Sequence, residues 1–88
     1  MRVTWGMLAN IQLDSLPATW TEQVKSETET MFTDSIPANA AQLPYDRLIV
    51  ELPCGVETEF ERIGDGVRIL WMRLTEELVG LTAVHDGA

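Results

Sequence analysis

The sequence predicts an α+β fold: an N-terminal strand, a helical hairpin, then three to four antiparallel strands forming a sheet with the helices on one face. Three observations carry that prediction. Apolar residues recur at helical spacing between residues 7 and 32, with a break at Pro17. From residue 47 onward the chain falls into strand-length pieces divided by turn residues, and "RVTW" at residues 2–5 is a β-branched and aromatic run that ends at Gly6.

Taken in order, "RVTW" has no hairpin partner beside it, so it is expected at a sheet edge or next to a central strand. From Met7, Leu8, Ile11 and either Leu13 or Leu16 recur at helical spacing. Pro17 in "DSLPATW" then interrupts, because its ring removes a donor and clashes with the preceding turn. A second helix is predicted from Thr19 to Phe32, with Trp20, Val24, Thr28 and Met31 on one stripe and Glu22, Lys25, Ser26 and Glu29 toward water. Residues 34–44, "DSIPANAAQLP", hold two prolines and no period, and read as a connecting loop. "RLIVEL" (47–52), "ETEFERI" (57–63), "VRILWMRL" (67–74) and "LVGLTAVH" (78–85) read as strands, and "PCG", "GDG" and "TEE" as the turns between them.

Strict alternation assigns the faces. Glu57, Glu59 and Glu61 sit at every second position and line up on one face of their strand. In 67–74, Val67, Ile69 and Trp71 share one face and Leu70, Met72 and Leu74 the other, which marks a central strand. Arg68 and Arg73 differ in parity and are therefore expected on opposite faces. Trp5, Trp20 and Trp71 are expected in the core. Tyr45, between Pro44 and a strand, is either a packing residue or a surface contact.

The 88 residues suffice for one domain, 1–88, and a chain near this size buries roughly 60 to 65% of the surface it exposes unfolded. No apolar run approaches the ~20 residues that a bilayer span needs, so no membrane contact is expected. Without a charged and apolar leader the expected compartment is the cytoplasm. Cys54 is the single cysteine, so an intramolecular disulfide and a cysteine cage for a metal are both excluded; in "LPCGV" it reads as a small turn residue. No cofactor is called for. Net charge is −8, from 6 basic and 14 acidic side chains. Direct strong nucleic-acid binding needs a positive footprint that this balance lacks on average, whereas solubility and recognition of a basic protein segment both suit it.

The order and spacing of "RVTW", "ANIQLDSLPATWTEQVKSETETMFTDSIP", "ERIGDGVRILWMRL" and "LVGLTAVH" resemble the RelE/ParE superfamily of bacterial toxins from toxin-antitoxin pairs, over nearly the whole chain. The second segment resembles the family's helical hairpin, in which a leucine-rich helix ends in "LxxLP". The third and fourth resemble its "LRxGxYRVLYxV" strand pair and its last strand. The resemblance implies a toxin that either cuts messenger RNA on the ribosome or poisons DNA gyrase, and a cognate antitoxin protein that neutralises it.

It also implies roles for particular residues. Arg68 stands where the ribosome-dependent nucleases carry an arginine that stabilises phosphate in the transition state, a task suited to a bidentate guanidinium. Aligning on Arg62 gives an alternative register, and His85 stands beside the place of a further catalytic arginine, which is Asp86 here. Arg68, Arg62 and His85 are thus the catalytic candidates. Glu59 and Glu61 occupy positions where the nucleases carry lysines, and three carboxylates near polyanionic RNA oppose its approach. The favoured reading is accordingly a toxin-like protein that acts by protein binding, closer to the gyrase-poisoning branch, with Glu57, Glu59, Glu61 and Arg73 as partner-binding residues. The alternatives are a weak ribosome-dependent endoribonuclease, and an acidic interaction or inhibitor module that imitates nucleic acid on a toxin-like scaffold.

Overall fold

In a computed structural model that describes residues 1–73, the chain forms β1 (Arg2–Trp5), α1 (Met7–Ser15), α2 (Ala18–Met31), β2 (Ala41–Leu43), β3 (Arg47–Glu51), β4 (Glu57–Ile63) and β5 (Gly66–Arg73). The strand expected over 78–85, and His85 with it, lies outside the described residues. The strands make one 5-stranded sheet in the order β1-β5-β4-β3-β2. All its pairs are antiparallel except β1 with β5, which is parallel.

The α+β class is as predicted, and two details differ. The sheet is mixed: the helical hairpin leads from β1 at one edge to β2 at the other, and the chain returns through three antiparallel pairings to lay β5 parallel beside β1. A strand also forms inside the segment expected to be a loop: Ala41, Gln42 and Leu43 pair with Ile49, Leu48 and Arg47. No local period announces β2, since its ladder partner rather than its own sequence holds it extended.

Two glycines make the β1-β5-β4 arrangement possible. Gly64, at φ +52°, takes the first central position of the two-residue turn that joins Ile63 to Gly66, where a primed hairpin turn needs a positive φ. Gly66 lies directly beside Arg2, and a Cβ there would stand 2.0 Å from the Arg2 carbonyl oxygen. Any larger residue at position 66 would push β1 off the sheet.

One face of the sheet carries Leu48 and Val50 from β3, Phe60 from β4, and Val67, Ile69 and Met72 from β5, all buried. Both helices join that cluster: Ala9 and Leu13 of α1 with Leu16 just past its end, and Val24 and Thr28 of α2 with Phe32 just past its end. Phe32 and Phe60 meet edge to face at 4.8 Å between ring centroids. Trp5 and Trp20 pack partly buried against the cluster, and the α2 stripe is oriented as its sequence spacing predicts. The Thr21 hydroxyl ties the start of α2 to α1 by donating to the Leu13 carbonyl at 2.7 Å.

The rotation of α1 departs from its leucine and isoleucine spacing. Leu8 and Ile11 are more than half exposed, and the buried side is Ala9 and Leu13. The same helix also meets a backbone requirement of β5. β1 pairs with β5 only as far as Trp5 and Ile69, with Gly6 N–H adding a bond to the Ile69 carbonyl at 2.8 Å. Beyond that point the Gln12 side chain takes over as a surrogate strand. Its Nε2 donates to the Met72 carbonyl and its Oε1 accepts from the Met72 N–H, both at 2.7 Å. Gln12 thereby ties α1 to β5, while Ala9 and Leu13, one turn apart on the neighbouring stripe, are the residues that enter the core.

The register of β4 with β5 contains the feature that sets the faces. Ile63, Arg62, Glu61 and Phe60 pair with Gly66, Val67, Arg68 and Ile69; Glu59, Thr58 and Glu57 then pair with Trp71, Met72 and Arg73. Leu70 is skipped, and it forms a β-bulge that reverses the alternation of β5. Val67, Ile69 and Met72 consequently all enter the core. Arg68, Trp71 and Arg73 share the other face, which corrects both the expected opposition of the two arginines and the expected core position of Trp71.

Thr58 is fully buried on the core side of β4, and its hydroxyl has no hydrogen-bond partner among the described residues. A buried polar group without a partner costs about 1–3 kcal/mol, while an apolar group of the same shape does not. Thr58→Val should therefore raise the free energy of unfolding in urea by about 1 kcal/mol, and an unchanged or lowered midpoint would mean that the hydroxyl is satisfied.

Candidate functional site

The face of the sheet opposite the helices collects five of the seven functional candidates, Glu57, Glu59, Glu61, Arg68 and Arg73, and cross-strand pairing arranges it as three rows across β3, β4 and β5. The first row is Arg47, Glu61, Arg68; the second is Ile49, Glu59, Trp71; the third is Glu51, Glu57, Arg73. Among the described residues no helix covers this face. Thr4 of β1 flanks Arg68, and Ala41 and Leu43 of β2 flank Ile49 and Arg47.

The row of glutamates is matched by arginines that come from its two neighbouring strands. Arg68 Nη1 lies 3.0 Å from Glu61 Oε1, and Arg47 reaches diagonally to within 3.5 Å of Glu59 Oε2. Arg73 stands directly opposite Glu57 and stacks its guanidinium over Trp71, 5.3 Å from the ring centroid. The Trp71 indole N–H donates to Glu59 Oε2 at 2.5 Å. Glu59 is thereby the anchor of the face: only 8% of it is exposed, and it accepts from an indole while facing a guanidinium. A carboxylate buried to this degree persists only with such partners.

Compensation is uneven. The first row sets two arginines around one glutamate, whereas the third sets Glu51 directly against Glu57, with Arg73 beyond. Like charges directly opposed in an antiparallel pair are destabilising. Neither Glu51 nor Glu57 makes an ion pair or a side-chain hydrogen bond among the described residues. Asn39, Ala41, Ile49, Val50, Glu51 and Glu57 line a depression of about 230 Å³ at this corner.

The catalytic candidates do not converge. Arg68 belongs to the open face and is held by Glu61, while Arg62 pairs with Val67 and so projects from the helix-bearing side of the sheet. No single ligand on one face touches both. His85 lies outside the described residues. Among the described residues no group of three or more His, Cys, Asp or Glu side chains is gathered as a metal ion would require, and no helix is long and apolar enough to cross a membrane.

Cys54 occupies the hairpin between β3 and β4, where Leu52 and Val56 close a Pro53-Cys54-Gly55 loop with Gly55 at φ +96°. Its backbone N–H donates to Glu27 Oε1 at 3.0 Å, pinning the loop to α2. Burial pushes the Cys54 thiol above its ordinary pKa and the adjacent Glu27 carboxylate adds to the effect, so the thiol stays protonated and unreactive at neutral pH. Burial alone would also raise Glu27, but hydrogen bonds from Gln23 and from Cys54 outweigh it and hold that carboxyl below the usual range. Tyr45 and Asp46 form the tip of the β2–β3 hairpin at φ 65° and 59°, and Tyr45 is 92% exposed. Tyr45 is thus a surface residue with a strained backbone, not a packing residue.

Comparison of the chain with protein-family models, with curated proteins and with solved structures gives no match.

Sequence reasoning singled out Glu57, Glu59, Glu61, Arg68 and Arg73, and the structure brings all of them to one face. It missed Arg47, Ile49 and Glu51. Their alternation in "RLIVEL" was visible, but only the ladder register shows that they lie alongside the glutamates.

The rows predict unequal roles for the three glutamates. Glu59→Ala should lower stability by about 1–3 kcal/mol, because it strands the Trp71 N–H and Arg47. Glu57→Ala should be within about 0.5 kcal/mol of neutral, since it also relieves the opposition of Glu51. Urea unfolding of the two variants checks this, and equal losses would contradict it.

Proposed function

We propose that this chain acts by binding another protein through the open face of its sheet, as a toxin-like member of a toxin-antitoxin pair rather than as a nuclease. The observation that carries the reading is the state of Arg68. Its guanidinium is paired with Glu61 at 3.0 Å, on a face that also holds Glu51, Glu57 and Glu59. An RNA phosphate approaching Arg68 would meet the carboxylate already bound at its Nη1 and the other glutamates of the face, a repulsion that grows with each uncompensated charge. The separation of Arg62 from Arg68 by the thickness of the sheet argues in the same direction, because phosphate clamps need donors that converge.

The toxin part of the reading rests on the resemblance to the RelE/ParE superfamily. It is supported by the order of elements, a strand followed by a helical pair and then antiparallel strands, with the helices packed on one sheet face. The resemblance implies a cognate antitoxin as partner and a target such as gyrase or the ribosome. A face with aromatic, aliphatic and paired ionic groups side by side suits a protein partner, which takes its affinity from apolar anchors and its specificity from charge.

Two assays test this. Expression of the chain alone should arrest growth of a bacterial host, and co-expression of the short reading frame beside its gene should relieve the arrest. In a translating extract the chain should leave messenger RNA intact. Harmless expression removes the toxin reading, and cleavage that disappears in Arg68→Ala replaces binding with nuclease action.

A further inference from the structure

We propose that the open sheet face docks an extended basic segment of a partner protein, with a lysine or arginine side chain seated at the corner formed by Glu51 and Glu57. This deepens the protein-binding reading and rests on it for the existence of a partner.

The lysines and arginines of the chain are nearly all placed elsewhere. The chain has 6 lysine and arginine residues, and none lies in residues 74–88. Arg47 and Arg68 are engaged by Glu59 and Glu61. Arg62 projects from the other side of the sheet, and Lys25 is on the exposed side of α2. Arg2 pairs with Gly66, roughly 20 Å along the strands from the third row. Arg73 flanks Glu57 on β5 and stacks on Trp71, leaving Glu51 on the far side of Glu57 without a lysine or arginine beside it. The protein therefore supplies one arginine to a corner that holds two carboxylates directly opposed.

The shape of the corner selects the occupant. Its depression of about 230 Å³ is lined by the apolar Ala41, Ile49 and Val50 together with the polar Asn39, Glu51 and Glu57. Lysine and arginine have the matching form, an aliphatic stem that covers apolar surface and a cationic head that stays at the polar rim. A bare metal ion or a free amine would leave Ile49 and Ala41 uncovered. The neighbouring second row offers Ile49 and Trp71 to whatever residue follows two positions along an extended segment. The first row, already paired, adds little attraction, so the charge complementarity of the face is concentrated at this corner.

The probe is a blocked hexalysine peptide, titrated into isotopically labelled full-length protein, with the same peptide acetylated on every Nζ as control. Amide shifts should concentrate at residues 39–41, 49–51 and 57, and the acetylated peptide should produce none. The double variant Glu51→Gln/Glu57→Gln should weaken binding about tenfold, while Glu22→Gln/Glu29→Gln, which removes the same charge from α2, should change it less than twofold. Equal weakening in both double variants, shifts spread over the surface, or no binding would overturn the proposal. Its failure is separable from that of the proposed function: a chain that arrests growth but ignores the probe loses only this corner, and one that binds the probe without arresting growth loses only the toxin reading.

Discussion

The extra residue at Leu70 is the constraint on which the rest of the molecule depends. A sheet covered by helices on one side has one apolar and one mixed face, and alternation decides which side chain goes where. An unbroken β5 would send Trp71 and Arg73 into the layer occupied by Val24, Phe32 and Phe60. A guanidinium there would be a buried charge without a carboxylate, which no small core tolerates. The bulge removes the conflict by shifting the phase of the strand once, so that Met72 fills the core and Trp71 and Arg73 join Arg68 outside. Gln12 then satisfies the Met72 backbone from α1, which fixes how that helix lies on the sheet.

From the shifted phase follows the electrostatic character of the open face. Glu57, Glu59 and Glu61 in isolation look like a strip of negative potential, and a net charge of −8 reinforces that impression. Once Arg47, Arg68 and Arg73 are set beside them, the strip resolves into paired, half-paired and unpaired parts. Exposed pairs of this kind contribute little to stability, on the order of 0.2–1 kcal/mol each. Their consequence is a pattern of charge: they decide which carboxylates and which guanidinium groups have an ionic partner within the face. On this face the carboxylates of the third row have no ion pair among the described residues, whereas Arg68 is held by Glu61.

The class of the fold was legible in the sequence because its signals are local. The helical period of α2, the break at Pro17 and the turns at "PCG" and "GDG" each act within a few residues. What could not be read there depends on neighbours distant in the chain. β2 exists because Leu48 and its neighbours offer it a ladder; α1 is tied to β5 through Gln12 and Met72, which are 60 residues apart; and the bulge at Leu70 is a property of two strands in register, not of "VRILWMRL" alone. The same holds for the site. The glutamate row could be seen as a row, but its meaning lay in Arg47 and Glu51, which only the β3–β4 pairing brings alongside.

The central claim, that the bulge places Trp71 on the open face against Glu59, is tested most directly by the side-chain NOEs of Trp71 in the labelled protein. The indole protons should show contacts to Glu59 and Arg73, while Met72 shows contacts to the core. Contacts from the Trp71 ring to Val67, Ile69 and Phe60 would mean that β5 alternates without interruption, and the arrangement of the open face described above would be wrong.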